Sequence, residues 1–164
     1  MALSNDIHYE RFGVGDTAQP IVQPLGGSVT VYRGSIALTD SNGNVKNANS
    51  PASTDTCWGI INGYGPGVAN TAPGVINSSS VASAVTAEIL QGAFFLASGT
   101  GSDQLAQSNV GQTVYVINEY TVGRTTGGGG RPVAGVLIAI ETRTQAPGNY
   151  AVALGVTSVG IGIV

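Results

Sequence analysis

The hydrophobic and polar positions of the chain alternate over short stretches, and this pattern predicts β-strands. Valines 29 and 31 alternate with polar neighbours, and the alternation resumes at Ile36 and Leu38 after an interruption at Gly34. A period of two is typical of a strand with one buried side. We therefore predict either two strand segments or one bulged strand over residues 26–38.

A cluster of turn-forming residues follows this segment. The pair Asn42-Gly43 favours a tight hairpin turn in which both residues adopt positive φ, and Val45 begins the return strand. The spacing Asp40-x-Asn42-x-Asn44 is also similar to the start of a calcium loop. However, the glycine stands one position too early, and Pro51 occupies the position of the bidentate acid, so we predict a hairpin.

The middle of the chain predicts further strands. Residues 57–61 are typical of a buried strand that ends at a loop over residues 62–67, with Trp58 anchoring the core. Residues 80–96 are rich in alanine, valine and leucine. They fit two strands around Gln91-Gly92 better than a helix, although a helix over the alanine-rich residues 82–90 is the alternative.

The second half of the chain has the clearest strand patterns. Residues 113–117 predict a strand that turns back into residues 121–122, and residues 133–140 predict the strongest strand of all. Between them, four glycines at 127–130 predict a flexible tip. The last predicted strands cover residues 150–154 and 161–164.

These elements predict the fold class. Helical periodicity is nearly absent, and the pattern predicts six to nine short strands separated by Gly, Asn and Pro loops. We expect an all-β, single-domain β-sandwich or barrel of short antiparallel strands. An extended N-terminal arm would cover residues 1–25 and the β-domain residues 26–164. We expect no secretion signal and no transmembrane helix.

Composition and charge narrow the classes of function. Only 9% of the 164 residues are charged, against about 25% in ordinary soluble domains. Six Lys and Arg residues against nine Asp and Glu residues give a net charge of −3, without a basic patch for phosphates or anionic lipids. We therefore expect neither nucleic acid nor membrane as a partner.

The residues that usually carry chemistry are few. Cys57 is the single cysteine and His8 the single histidine, so the chain offers neither a disulfide framework nor a multi-thiolate metal site. We interpret Cys57 as a small buried hydrophobe and His8 as an exposed or interfacial side chain. The sequon Asn77-Ser78-Ser79 is interpreted as loop chemistry. We expect no catalytic residues, no metal and no cofactor.

Four segments with strand and glycine patterns follow one another in a distinctive order. They are 25–38 (LGGSVTVYRGSIAL), 88–96 (EILQGAFFL), 108–122 (SNVGQTVYVINEYTV) and 127–137 (GGGGRPVAGVL). In this order the segments resemble bacteriophage capsid decoration proteins, also called head cement proteins. The resemblance covers about half of the chain, and residues 64–80 and the apolar tail after Gly155 depart from it.

The resemblance implies a structural virion protein without enzymatic activity. It would bind the outer surface of the phage head and stabilise contacts between subunits of the major capsid protein, after assembly in the host cytoplasm. We expect the arm to order against the capsid, and a homotrimer in which the C-terminal tail supplies apolar contacts. The expected capsid-binding residues are Ile7, Tyr9, Arg11 and Phe12, and those of the oligomer interface are Val159, Ile161 and Ile163.

An alternative function remains open from the residues alone. A phage host-recognition or glycan-binding β-module would use Trp58, Tyr64 or Tyr120 as stacking platforms for sugar rings. The competing interpretation places Trp58 in the core and makes the tyrosines half-buried strand residues.

Overall fold

A computed structural model describes residues 20–66, 74–141 and 150–154 of the chain. In these ranges the protein is nearly all β, and its helical segments are two three-residue 3-10 turns at Gly101–Asp103 and Gln107–Asn109. The strands are β1 (Ile21–Pro24), β2 (Val29–Val31), β3 (Ile36–Thr39), β4 (Val45–Lys46), β5 (Thr56–Tyr64), β6 (Val75–Asn77), β7 (Thr86–Leu90), β8 (Ala93–Ser98), β9 (Thr113–Val116), β10 (Thr121–Gly123), β11 (Val133–Ile140) and β12 (Tyr150–Leu154).

Five strands form an antiparallel sheet in the order β1-β7-β5-β3-β4. The two ends of this sheet meet at Leu25, the residue that follows β1. Its N–H donates to Val85 O at 2.9 Å, next to β7, and Leu25 also forms a bridge with Val45 of β4. Gly26 N–H donates to Val45 O at 2.9 Å. The sheet therefore curls until its first and last strands are joined.

A two-stranded antiparallel ribbon, β2 with β6, packs with the inner side of the curled sheet. Leu25 is fully buried at this point, and Val31 of β2 and Val75 of β6 contribute to the same apolar cluster. We call this cluster the sheet core. Its buried members are Leu25, Val31, Ala37, Val45, Ile61, Val75, Ala87 and Ile89.

The remaining five strands form a closed barrel in the order β10-β8-β12-β11-β9. Its strand pairs are antiparallel except β10 with β8, which is parallel. Cross-strand partners such as Phe94 with Val152 are both fully buried, as expected for side chains that share one side of a ladder. This barrel lies against the sheet, because β5 contacts both β11 and β12.

Strands β3 and β5 connect the sheet with the barrel, because successive side chains of each strand pack into different apolar clusters. Ala37 belongs to the sheet core, whereas Ile36 and Leu38 on the other side of the strand join the apolar cluster of the barrel, as does Ile60 of β5. Strands buried on both sides read as nearly continuous apolar runs. The prediction of one buried side is therefore wrong for β3, whose four residues are all buried.

The all-β class predicted from the sequence is confirmed, and the number of strands is larger than predicted. Twelve strands occur within the described residues, where six to nine were expected for the whole chain. The two segments of residues 26–38 are β2 and β3, which belong to different sheets. Residues 86–98 form two strands around Gln91-Gly92, as predicted, and the helical alternative is wrong for residues 86–90.

The hairpin predicted at Asn42-Gly43 joins β3 to β4, but its geometry differs from the prediction. Gly43 alone takes positive φ, at +80°, and Asp40 N–H donates to Asn44 O at 3.0 Å around a three-residue loop. The Asp40 carboxylate accepts the N–H groups of Asn42 and Asn44. The acid that suggested a calcium ligand therefore stabilises its own turn.

The last residues of the predicted N-terminal arm belong to the sheet, because Ile21–Pro24 form β1. The N–H of Leu25 points toward β7, because it donates to Val85 O. Backbone N–H groups of successive strand residues point to opposite sides, so the backbone nitrogens of Val22 and Pro24 point away from β7. Pro24 has no N–H, and neither has Pro20. Val22 is therefore the one residue between the two prolines that directs an N–H outward from this edge.

Candidate functional site

Both predicted sets of binding residues lie outside the described residues. These are Ile7, Tyr9, Arg11 and Phe12 for the capsid contact, and Val159, Ile161 and Ile163 for the oligomer interface. His8 and the predicted strand over residues 161–164 lie outside them as well. The candidates within the described residues are clusters of charged, hydroxyl and exposed apolar side chains.

The densest polar cluster surrounds Asp103, at the end of the first 3-10 turn. Asp103 Oδ1 accepts hydrogen bonds from Arg131 Nη1 at 2.8 Å and from the hydroxyl of Thr125. Arg131 Nη1 also lies 3.3 Å from Thr125 O. The carboxylate thereby connects the turn after β8, the segment after β10 and the segment before β11.

The electrostatics of this cluster suit an ion-pair clamp. Burial acts to raise the pKa of the Asp103 carboxyl, but the hydrogen bonds from Thr125 and Arg131 and the Arg131 charge outweigh it, and the pKa lies below its ordinary value of 3.8. A carboxylate with a lowered pKa is a weak base. Asp103 is therefore poorly suited to activate the Thr125 hydroxyl as a nucleophile.

The four glycines beside this clamp form a hydrogen-bonded turn, where the sequence predicted a flexible tip. Thr126 O accepts the N–H groups of Gly129 and Arg131, each at 3.1 Å. A Cβ on Gly127, whose φ is +60°, would lie 2.8 Å from Arg131 Nε. The backbone angle at position 127 thus favours glycine, and a side chain there would also displace that of Arg131.

A second ion pair organises the loop between β4 and β5. Lys46 Nζ lies 2.9 Å from Asp55 Oδ2 and 3.1 Å from Ser50 O. The same Asp55 oxygen accepts the N–H of Ala52 at 2.7 Å. The Asp55 side chain is nearly buried, so this pair closes the loop on itself.

Most charged side chains of the described residues form hydrogen bonds or ion pairs within the chain. Glu88 bonds to the Asn62 amide, and Arg124 Nε donates to Ser102 O at 2.6 Å. Glu119 is buried, with 1% of its surface exposed. Within residues 20–66, 74–141 and 150–154, no three His, Cys, Asp or Glu side chains gather as a metal site would require. The charged groups that bond within the chain are those of Asp40, Lys46, Asp55, Glu88, Asp103, Arg124 and Arg131.

The aromatic residues proposed as sugar platforms are engaged with the protein. Trp58 is half-buried against the sheet core, and its Nε1 donates to Thr39 Oγ1 at 2.9 Å. Trp58 thus lies at the border of a core, where the sequence predicted an anchor inside one. Tyr64 also packs against the sheet core, and its hydroxyl accepts the N–H of Ile76 at 3.1 Å. Tyr120 is half-buried, and buried Cys57 joins the barrel cluster, as predicted.

The segment between β6 and β7 is held in place by its neighbours. We call residues 78–84 the serine loop. Asn77, only 1% exposed, donates from Nδ2 to Gly26 O at 2.9 Å and to Val81 O at 3.0 Å, and its Oδ1 accepts Ser79 N–H. The sequon asparagine is therefore a buried structural residue.

The serine loop and the segment beside it hold unusual backbone conformations. Ser28 and Ser83 are the non-glycine residues with positive φ among those described, at +55° and +68°. Ser28 N–H donates to Ser79 O at 2.8 Å, and Ser83 N–H donates to Leu25 O at 2.9 Å. A Cβ on Gly27 would lie 2.3 Å from Ser80 O. The segment around residues 25–28 and the serine loop are therefore in close backbone contact.

Three of the four large hydrophobic side chains that are exposed among the described residues belong to β1, β6 and the serine loop. Val81, at the top of the serine loop, is 65% exposed, and Ile76 and Val22 are 40% and 42% exposed. Residues 20–32 and 74–87, which carry all three, contain no charged residue. The sequence did not predict these exposed side chains, because an exposed valine cannot be told from a buried one by its local sequence pattern. The one available sign was the run without charged residues that extends from Thr56 to Ala87.

The comparisons with known proteins return no match: no family model, no curated protein and no solved structure is similar to the chain. Among the described residues, no helix has the length and apolar character needed to span a membrane.

Proposed function

We propose that this protein is a capsid decoration, or head cement, protein of a bacteriophage. It binds the outer surface of the head as a homotrimer and stabilises contacts between major capsid subunits, without enzymatic activity and without a cofactor or metal. The observation that carries the proposal is the internal use of charge. The charged groups around Asp103, Asp55 and Asp40 bond within the chain, which favours a structural role for these groups.

The segments that resemble decoration proteins also hold the fold together, which supports the proposal. Residues 25–38 include Leu25, where the sheet closes on itself, and residues 88–96 contain Gly92, where the chain passes from the sheet to the barrel. Residues 108–137 contain β9, β10, the glycine turn and the start of β11. The resemblance thus falls on residues with structural roles rather than on scattered surface positions.

The stabilising action follows from mass action. A protein that binds the assembled shell but not the dissociated subunits lowers the free energy of the shell by about 2.7 kcal/mol per site when its free concentration is about 100 times Kd. Since this stabilisation requires only binding, it needs no catalytic group.

Add-back to capsids tests the proposal. Purified protein is mixed with expanded capsids assembled from the major capsid protein of the same virus, the mixture is sedimented, and bound protein and capsid Tm are measured. We expect saturable binding and a higher capsid Tm. Absence of binding contradicts the proposal, and a positive whole-cell or glycan-array signal would then favour the host-recognition module.

Deletion of residues 1–19 tests the role of the arm, because β1 begins at Ile21 and every described residue is kept. We expect this variant to lose capsid binding and to keep the Tm of the β-domain. Serine at positions 7, 9 and 12 should weaken binding in the same way, and alanine at Ser4 and Asn5 serves as the control. Retained binding after the deletion contradicts this role of the arm.

A further inference from the structure

We propose that Asn42 is a site of spontaneous covalent modification, at which the side-chain amide is converted to a carboxylate through attack by the Gly43 backbone nitrogen. Asparagine followed by glycine occurs twice in the chain, at Asn42-Gly43 and at Asn62-Gly63. The two pairs share the same local chemistry and differ in their place in the fold, so the structure predicts which of them reacts. The modification requires no partner and is therefore independent of the proposed function.

The reaction needs only water as a co-reactant, and asparagine is among the thermally labile residues. The Gly43 nitrogen gives up its proton and forms a bond to Cγ of Asn42. The bond from Cγ to the side-chain nitrogen breaks, and this nitrogen takes up the proton and leaves as ammonia, so that a succinimide ring remains. Water then opens the ring at either carbonyl. One product is aspartate at position 42, and the other is isoaspartate, in which the backbone runs through the former side chain.

The reacting groups of the first pair are accessible. Asn42 and Gly43 lie at the exposed tip of the hairpin between β3 and β4. Gly43 has no Cβ to obstruct the approach of its nitrogen to the Asn42 side chain, and the space around the missing Cβ is open. Asn42 N–H donates to Asp40 Oδ1 at 2.9 Å, but among the described residues no group bonds to the Asn42 side-chain amide.

The hydrogen bonds of the hairpin control the rate of attack. Gly43 N–H donates to Asp40 O at 3.0 Å, so the attacking nitrogen is engaged while the turn is closed. Asp40 Oδ1 also accepts Asn44 N–H at 3.0 Å. These bonds lie within the turn at residues 40–44, whereas β3 pairs with β5 over Ile36–Thr39. The turn can therefore open without separating β3 from β5, and such local openings cost less free energy than global unfolding.

The second pair is held in the middle of the sheet. Asn62 belongs to β5, which lies between β3 and β7, and its side-chain amide donates to the Glu88 carboxylate of β7. Gly63 is buried and stands opposite the same Glu88 in the ladder. Freeing Asn62 for the reaction requires the separation of β5 from β7, which disrupts the centre of the sheet. We therefore expect no conversion at Asn62 while the protein is folded.

Conversion at Asn42 changes the hairpin and the charge of the protein. It adds one negative charge to a chain of net charge −3 and places a second carboxylate close in sequence to Asp40. The isoaspartate product also lengthens the backbone of the turn that Asp40 N–H and Asn44 O close at 3.0 Å. Isoelectric focusing should therefore separate the modified protein from the original as a more acidic form.

The test follows both asparagines in one incubation. The purified protein is held at mildly alkaline pH, which favours deprotonation of the attacking nitrogen, and peptide mass spectrometry gives the converted fraction at each position. A parallel incubation in guanidinium chloride is the reference for the unfolded chain. We expect conversion at Asn42 under both conditions and conversion at Asn62 in guanidinium chloride alone. In the folded protein the rate at Asn42 should exceed the rate at Asn62 at least about tenfold.

Substitutions at the hairpin test the mechanism. Asn42→Gln keeps an amide but moves it one methylene further from the attacking nitrogen, so conversion at position 42 should be lost. Asp40→Ala removes the carboxylate that accepts two N–H groups of the turn. Conversion at Asn42 should then become at least about fivefold faster, the factor that one net hydrogen bond provides. Asp40→Asn is the matched control, because it retains the Oδ1 acceptor, and it should accelerate conversion less.

Two results would overturn the proposal. Protection of Asn42 in the folded protein would contradict it, because the closed hairpin would then prevent the attack. Equal rates at Asn42 and Asn62 in the folded protein would also contradict it, since the fold would then make no distinction between the two pairs. Neither result bears on capsid binding, which the add-back experiment tests separately.

Discussion

At the scale of single residues, the most informative side chain is Asn77. One amide group serves as a hydrogen-bond centre between two segments about fifty positions apart, because Nδ2 donates to Gly26 O and Val81 O and Oδ1 accepts from Ser79. Neutral hydrogen bonds contribute only about 1 kcal/mol each, but a buried carbonyl left without a donor costs about 1–3 kcal/mol. Asn77 therefore contributes more to the free energy of unfolding than the sum of its individual hydrogen bonds.

Asn77→Ala should therefore lower the free energy of unfolding by about 2–4 kcal/mol. Urea denaturation followed by circular dichroism measures this change. Asn42→Ala is the matched control, because Asn42 is exposed at the hairpin, and it should change the free energy by less than about 0.5 kcal/mol. Equal effects of the two substitutions would contradict the structural role of Asn77.

Asp103 gives the protein a pH-dependent contribution to stability. Because the pKa of its carboxyl lies below 3.8 in the folded protein, the folded state binds the proton less readily than the unfolded state. The contribution is therefore complete above about pH 4 and is lost as the pH falls through the folded-state pKa.

Asp103→Asn should lower the free energy of unfolding by about 1–2 kcal/mol at pH 7, and the difference from the wild type should shrink below about pH 4. Urea titrations at a series of pH values measure both quantities. A difference that stays constant down to pH 2 would mean that the carboxylate charge contributes nothing to the clamp.

At the scale of elements, close backbone approach decides where strands can pair. Gly59 of β5 lies against β7, and a Cβ at this position would lie 2.1 Å from Leu90 O. Its φ of +154° is also outside the range that other residues adopt readily. This glycine lets β5 pass between β3 and β7 without displacing either strand.

Gly59→Ala should therefore cost more than about 3 kcal/mol in free energy of unfolding, since the β5–β7 backbones must separate. Gly128→Ala is the control for backbone angle alone. Its φ is +74°, but nothing lies within 4 Å of the added Cβ, so it should cost about 1 kcal/mol. Thermal melts of both variants suffice, and similar losses of Tm would contradict the argument from close approach.

The elements themselves were largely predictable, and their partners were not. Alternation and Gly or Asn punctuation are local signals, so β3, β9, β11 and the hairpin at Gly43 follow from neighbouring residues. Which strands pair depends on contacts far apart in sequence. Thus β7 and β8 are separated by Gln91-Gly92 yet belong to different sheets, and Asn77 read as loop chemistry although its partner Gly26 lies 51 residues away.

At the scale of the whole molecule, the homotrimer is the main prediction. Native mass spectrometry of the free protein should give a trimer, and aspartate at Ile161 and Ile163 should convert it to monomer, because buried charges in an apolar interface are unfavourable. Val133→Asp, which adds one negative charge where the double substitution adds two, serves as the control for charge at an exposed position. Monomer or dimer alone, both free and on capsids, would contradict the prediction.

The prolines of the first strand have a consequence for the association of one copy of the chain with another. An open strand edge with regularly spaced donors invites other chains to add to it and grow into fibrils, particularly at high local concentration. Between Pro20 and Pro24, Val22 alone directs an N–H outward, so an incoming strand finds one donor where continued pairing needs a series. A sheet that is closed at Leu25 and has prolines along β1 thus gives an incoming strand little to pair with at this edge.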